Sequence, residues 1–346
     1  MYKSFTLSFI LINFILSAQY DSLRLNQIRV LASHNSYKNK PDPKVIRFLT
    51  RFKKQLGSAN DPVQLDYGHL PLPQQFDEYN IRGIEIDVNY DPNGGLYKKR
   101  KLNMFILGKP QKVKDPKMNE PGFKVLHIAD VDYETNYLTF ISVLTELKHW
   151  SELHPNHTAI FVNIEAKGSN PADESMFLKR LGFKKAIPFD EKAFNLLDKE
   201  ILSILPKDKI FQPENLKKNY STIKDRIETE GWPILRDCLD KFIFILEGSN
   251  DQQYALNNLS RPMFVYGSPS NENTAFVLKN DPLGNEIEIL ELTTRYIVRT
   301  RSDAGTIEAR KNDYSRFQSA WKSGAQIIST DYYKPDLRFS TFQIKF

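Results

Sequence analysis

Glu85 and Asp87 stand two residues apart in Arg82-Gly83-Ile84-Glu85-Ile86-Asp87-Val88-Asn89. Apolar Ile84, Ile86 and Val88 alternate with them, and a period of two reads as a short β-strand. Both carboxylates then share one face of that strand. They repel unless a cation lies between them. The pair is read as a metal site or as a solvated strand face. The helix-like run Leu72 to Asn80 just upstream, with Gly83 between, favours the metal. Asn35 and Glu165 are further oxygen donors at the ends of apolar runs. Three carboxylates and an amide, with no thiolate, suit a hard cation. Ca2+ fits better than Mg2+, because it accepts more direct protein ligands.

His34 and His127 are the titratable pair beside these donors. Two imidazoles flanking a phosphate can move protons both ways, one taking a proton from a nucleophilic hydroxyl and the other protonating the leaving oxygen. A lone histidine reads first as structural; two at strand ends beside acidic residues read as catalytic. His69, His149, His154 and His157 lack that setting. His154 and His157 precede a strand, at its far end, and are expected to be structural. Arg299, Arg301 and Asp303 alternate on one face, where a guanidinium can hold a phosphate or a polyol hydroxyl. Lys167, two residues past Glu165, reaches the same volume. Taken singly, each reads first as local salt bridging. Asp331 either orients one histidine or binds substrate.

The elements that must gather these residues are eight strand candidates: 28–33, 83–89, 124–128, 159–165, 242–247, 262–266, 296–301 and 325–331. Helical segments separate most of them, which fits an irregular α/β fold of the (β/α)8 TIM-barrel kind. The polar residues fall where the strands end, and in a barrel those ends share one rim. The long interval between 165 and 242 must hold extra helices.

The chain has 346 residues, 40% hydrophobic and 26% charged, a globular composition. Residues 1–19 read as a cleaved secretory signal: Lys3, an apolar run from Phe5 to Leu16, then Leu16-Ser17-Ala18-Gln19. The expected mature unit is one catalytic domain over 20–346, secreted or periplasmic. A single cysteine, Cys238, excludes an internal disulfide and argues against structural zinc. Net charge is +6, suited to an anionic surface. No helix-turn-helix or RNP-like pattern points to nucleic acid, and no protein partner is implied. Residues 91–122 read as an insertion, opened by Asp91-Pro92-Asn93-Gly94-Gly95 and rich in lysine. A solvated excursion is the favoured reading of it, and a membrane-facing loop the other.

Several motifs in order resemble the calcium-dependent phosphatidylinositol-specific phospholipase C-like family. They are Ser33-His34-Asn35-Ser36-Tyr37, Tyr67-Gly68-His69-Leu70-Pro71-Leu72 with Gln75, Arg82 to Asp87, Ile164-Glu165-Ala166-Lys167, Thr300 to Ala304 and Ile328 to Tyr332. The resemblance runs from about residue 28 to 335. It implies a distorted TIM barrel, calcium held by Asn35, Glu85, Asp87 and Glu165, and His34 and His127 as the catalytic pair. It implies a phospholipid substrate met at a membrane surface, with the inositol 2-hydroxyl as nucleophile and diacylglycerol released. His34 is assigned to the base or phosphate contact and His127 to the acid; Lys167, Arg301 and Asp331 are the substrate-binding candidates. The stretch from Asp87 to His127 is longer than in eukaryotic enzymes of the superfamily because of the insertion. Two rivals are a glycerophosphodiester phosphodiesterase, whose His-Arg-Gly signature is replaced here by His34-Asn35-Ser36, and a non-catalytic binder of phospholipid or glycan on the same barrel.

Overall fold

The structure is a computed structural model and describes residues 22–56, 61–109, 111–255 and 259–346. The 1–19 signal lies outside the described residues. Among these residues no helix is long and apolar enough to cross a membrane.

Eight parallel strands form the barrel: β1 Val30–Ser33, β2 Gly83–Asp91, β4 Ile160–Ala166, β5 Phe242–Gly248, β6 Met263–Val265, β7 Phe276–Leu278, β8 Ile297–Arg301 and β9 Ile327–Thr330. Their order round the sheet is β6-β5-β4-β2-β1-β9-β8-β7. A single parallel bridge, Tyr266 to Phe276, closes β6 on β7. Strand β3, Gly122–Val125, runs antiparallel to the C-terminal end of β2 and lies off the barrel path. The expectation for 124–128 is therefore corrected: that run is not a barrel strand, and β7 supplies the eighth. At β1 and β2 the backbones approach closely, and a Cβ on Gly83 would meet the Ala32 Cβ at 2.6 Å.

Alternation along each strand sorts the core into two shells. Outward-facing Ile84, Ile86, Val88, Val162, Ile164 and Phe244 join the cluster that the helices cover. The helix Leu72–Tyr79 contributes Phe76 and ends on Asn80, whose left-handed backbone (φ 51°) suits an asparagine C-cap. Phe140–Leu153 contributes Val143, Leu144, Leu147 and Trp150. Inward-facing Phe161, Ile243, Ile245, Phe264, Ile297 and Ile327 fill the N-terminal half of the barrel. Leu25, Trp232, Leu235 and Cys238 extend that plug past the strand starts. Above it the inward positions turn polar: Glu85, Asp87, Asn163, Glu165, Glu247, Arg299 and Arg301. Layered filling of this kind is the rule for parallel barrels.

His154 and His157 sit at the far end from that polar layer. His157 bonds Ser151 Oγ and the Thr158 carbonyl, and His154 stacks on Trp150.

The long interval before β5 holds the helix Glu191–Ile204, which buries Glu200 against β3. Glu200 accepts from the Phe123 N–H at 3.3 Å, and burial pushes its carboxyl up to about 7. A folded-state value above the unfolded one of 4.5 means ionisation opposes folding. That penalty is absent below the unfolded value and complete above the folded one. Stability should therefore fall by up to roughly 3 kcal/mol as pH rises from 4.5 to 7. Glu200→Gln should remove most of this slope. Urea unfolding of parent and variant at pH 5 and pH 8 checks it: equal changes in both would show that Glu200 carries no such penalty.

Candidate metal centre and imidazole pair

The carboxylate pair lies where β2, β4 and β5 end. Register places Asp87 beside Glu165 and Glu165 beside Glu247. One oxygen from each of Glu85, Asp87 and Glu165 lies within 4.8 Å of the others. Asp87 is fully buried; its Oδ1 has no hydrogen-bond partner, and Oδ2 meets only the Lys167 ammonium. Burial, then the neighbouring Glu165 charge, pushes its carboxyl well above the ordinary range.

Two cations partly balance the group. Lys167 Nζ lies 3.2 Å from Asp87 Oδ2 and 2.9 Å from Glu165 Oε1. Arg299, buried among the strands, pairs with Glu85 and lies 3.4 Å from Glu247 Oε2. The unpartnered Asp87 Oδ1 and the all-oxygen donor set fit a hard divalent cation better than a second ammonium would. Asn35 lies on the turn that follows β1. Its backbone is left-handed (φ 50°), a conformation asparagine tolerates. The Ser36 N–H donates to the Glu85 carbonyl at 2.9 Å, tying this turn to β2. The Asn35 amide donates to Tyr67 Oη at 2.8 Å and accepts from Tyr37 Oη at 3.3 Å.

His34 Nδ1 lies 2.7 Å from Asp331 Oδ1. Since a carboxylate only accepts, Nδ1 carries the proton and Nε2 is left as acceptor. Nε2 faces Arg301 Nη1 at 3.3 Å and Glu85 Oε1 at 3.6 Å. Burial, then Arg301, holds the imidazole well below its ordinary value, with Arg299 and His127 adding and Glu85 opposing. Arg301 Nη2 bonds Asp331 Oδ2 at 3.0 Å. Asp331 is fixed in turn by its N–H to Asp303 Oδ1 at 2.9 Å.

His127 rides on the loop after β3. Its Nδ1 lies 2.8 Å from Asp132 Oδ2, and buried Lys38 lies 3.3 Å from the same oxygen. Despite burial, Lys167 holds the Glu165 carboxyl below its ordinary range, and His34 Nε2 lies 3.6 Å from Glu85 Oε1.

Of the nine sequence-picked residues, His34, Glu85, Asp87, Glu165, Lys167, Arg301 and Asp331 are joined by direct contacts, while Asn35 bonds Tyr67 and Tyr37 and His127 bonds Asp132. Lys167 and Arg301 are both engaged by carboxylates there. His69 Nε2–H donates to the His34 carbonyl, 2.7 Å away, and the ring stacks on Tyr333. Four rim residues had no sequence assignment: Glu247, Asn163, Lys38 and Asp132. Asp132 follows His127 by five residues, which is a signal, but Asp130 follows by three and turns instead to the Lys101 and Lys184 N–H groups.

Fold and rim together define a TIM barrel of the phospholipase C type. Residues 23–346 match the family described as phosphoinositide phospholipase C, Ca2+-dependent, and the chain belongs to that family. Among solved structures, it is similar to a calcium-dependent phosphoinositol-specific phospholipase C from Pseudomonas sp. The identity is 15%, covering 95% of this chain and 94% of that one, with a TM-score of 0.54. It is also similar to the Ca2+-dependent phosphatidylinositol-specific phospholipase C of Streptomyces antibioticus, at 14% identity over 90% and 96% of the two chains, with a TM-score of 0.52. At such identities the likeness speaks to the fold. No curated protein matches the chain.

Proposed function

We infer that the protein is a calcium-dependent phosphodiesterase cleaving the glycerol–phosphate bond of an inositol phospholipid, with His34 and His127 moving the protons. The observation that supports this reading is the grouping of buried Asp87, one of whose oxygens has no partner, with Glu85 and Glu165 on a rim that also carries two imidazoles, each held through Nδ1. Asn35, Glu85, Asp87 and Glu165 would hold the calcium. When bound, it supplies positive charge that offsets phosphate charge and makes a nearby hydroxyl more acidic.

His34 Nε2, kept unprotonated, takes the proton of the inositol 2-hydroxyl. The 2-oxygen bonds to phosphorus as the phosphorus–glycerol oxygen bond breaks. His127 gives its proton to that leaving oxygen, so the products are diacylglycerol and a cyclic inositol phosphate. Asp331 and Asp132 are positioning residues that fix the two rings. Arg301, 3.3 Å from His34 Nε2, is placed to hold a phosphate oxygen. The Pseudomonas structure was solved as a myoinositol complex, which agrees in head-group chemistry. Export belongs to the same reading and rests on residues 1–19; one catalytic domain over 20–346, with the 91–122 insertion, is part of it.

Labelled phosphatidylinositol, with calcium titrated in and products identified by mass, tests the reaction. Diacylglycerol and a cyclic phosphate appearing only with calcium supports it. Glycerol phosphate released from a glycerophosphodiester would favour the rival hydrolase, and no cleavage of either would leave a binding protein.

A further inference from the structure

Lys38 lies just past the end of β1, and its side chain is fully buried. A lysine is almost never buried to that degree unless its charge is paired. Here each of the three ammonium protons has an oxygen to meet. Nζ donates to the Leu65 carbonyl at 2.8 Å and to the Tyr67 carbonyl at 2.9 Å, and lies 3.3 Å from Asp132 Oδ2. The backbone on either side is stitched to the segment that follows Asp132. The Asn39 N–H donates to the Glu134 carbonyl at 3.0 Å, and the Asn136 N–H to the Tyr37 carbonyl at 2.8 Å. Backbone bonds of this kind need no charged side chain between them. An apolar residue of similar length would fill the space without the cost of burying an ammonium.

What the charge reaches is the oxygen that holds His127. Asp132 Oδ2 meets both the Lys38 ammonium and His127 Nδ1, the latter at 2.8 Å, while Oδ1 has no partner. Burial alone would push the Asp132 carboxyl up; Lys38, with His127 adding, outweighs it and holds the group below its ordinary range. Asp132 therefore stays an acceptor for the Nδ1 proton, and Nε2 is the nitrogen left for substrate. His34 is arranged alike. Its Nδ1 meets Asp331, and Asp331 meets Arg301. In both pairs a neighbouring cation fixes the carboxylate that fixes the ring.

We propose that Lys38 is a positioning residue for the leaving-group acid: its ammonium pins Asp132 and, through it, holds His127 where the proton is delivered. The inference rests on the acid role given to His127 above. Being fully buried, Lys38 acts through that carboxylate. The need for an acid depends on the leaving oxygen. An alkoxide must be protonated as its bond to phosphorus breaks, whereas a nitrophenolate departs without a proton.

Two water-soluble inositol phosphodiesters, at saturating calcium, separate this role from a structural one. One releases a simple alcohol and the other p-nitrophenol. Lys38→Met should lower kcat on the alkyl ester by about a hundredfold, with KM changed little. On the nitrophenyl ester the loss should shrink to about threefold. Lys38→Gln, whose amide still donates to a carbonyl, removes the charge and should show the same split; it stands in if the methionine variant does not fold. In a His127→Ala background, Lys38→Met should cost the alkyl ester no more than about threefold, because the group it serves is gone. Equal losses on the two esters, or a full loss on top of His127→Ala, would show that Lys38 serves only the fold and would overturn the proposal. A His127→Ala enzyme that loses the alkyl ester while both Lys38 variants keep it would leave the acid standing and remove Lys38 from its support. His127→Ala sparing both esters would remove the acid and its positioning residue together, and no cleavage of either ester by the parent would remove the reaction itself.

Discussion

Alanine at His34 is expected to lower kcat on phosphatidylinositol by about a thousandfold, with calcium affinity changed much less. The ring is held at one nitrogen by Asp331, 2.7 Å away, and presents the other beside Arg301 and Glu85. It is neutral because burial and Arg301 depress its proton affinity. Its loss removes the proton acceptor and leaves the carboxylates in place. His127→Ala should cost about as much. The two serve one proton traffic, so the double variant should fall well short of the product of the single losses. Steady-state rates at saturating calcium, beside circular dichroism of each variant, measure this. A His34→Ala enzyme within a factor of a few of the parent would show that this imidazole moves no proton.

Asp87→Asn is expected to change two quantities in opposite directions. Without calcium, the variant should be more stable than the parent by about 1–2 kcal/mol, because the parent's carboxyl, buried beside Glu85 and Glu165, must on folding either take up a proton or hold an unfavourable charge. Lys167 keeps Glu165 as its partner at 2.9 Å. With calcium, the order should reverse. The parent gains about 2.7 kcal/mol at a hundred times its dissociation constant, and the variant gains almost none. Activity should fall at least about a hundredfold with it. Melting curves with and without calcium decide the matter. A variant that still melts higher on calcium addition would place the ion elsewhere.

Much of this site is legible in the sequence because β2 keeps strict alternation. Glu85 and Asp87 interrupt an apolar strand at inward positions, and nothing but a charged lumen or solvent explains them. His34, Glu165, Arg301 and Asp331 are legible for a related reason: each ends an apolar run, and a barrel brings such ends together. Glu247 and Asn163 are hidden by their surroundings. In β4 and β5 both faces are buried, so the inward row merges with the outward one into an unbroken apolar stretch. The partner of Arg299 is hidden by distance along the chain, since Glu85 lies 214 positions away.

The strand exchange has a different cause. Phe276–Leu278 is only three residues long and is bounded by Thr274-Ala275 and Lys279-Asn280, too little for a period to register. Lys124 to Ile128 shows the longer apolar run, but direction of pairing leaves no mark in composition. Gly122–Val125 runs back along β2 and delivers His127 from the side of the barrel, not from the end of one of its strands.

The plug of Phe161, Ile243, Ile245, Phe264, Ile297 and Ile327 makes the barrel a blind cup. Nothing the size of a hydrated ion leaks through its base, so a solute reaches Asp87 only by the C-terminal mouth. Under the proposed function, ion and lipid would share that mouth, and a seated lipid would bar exchange of an ion held beneath it.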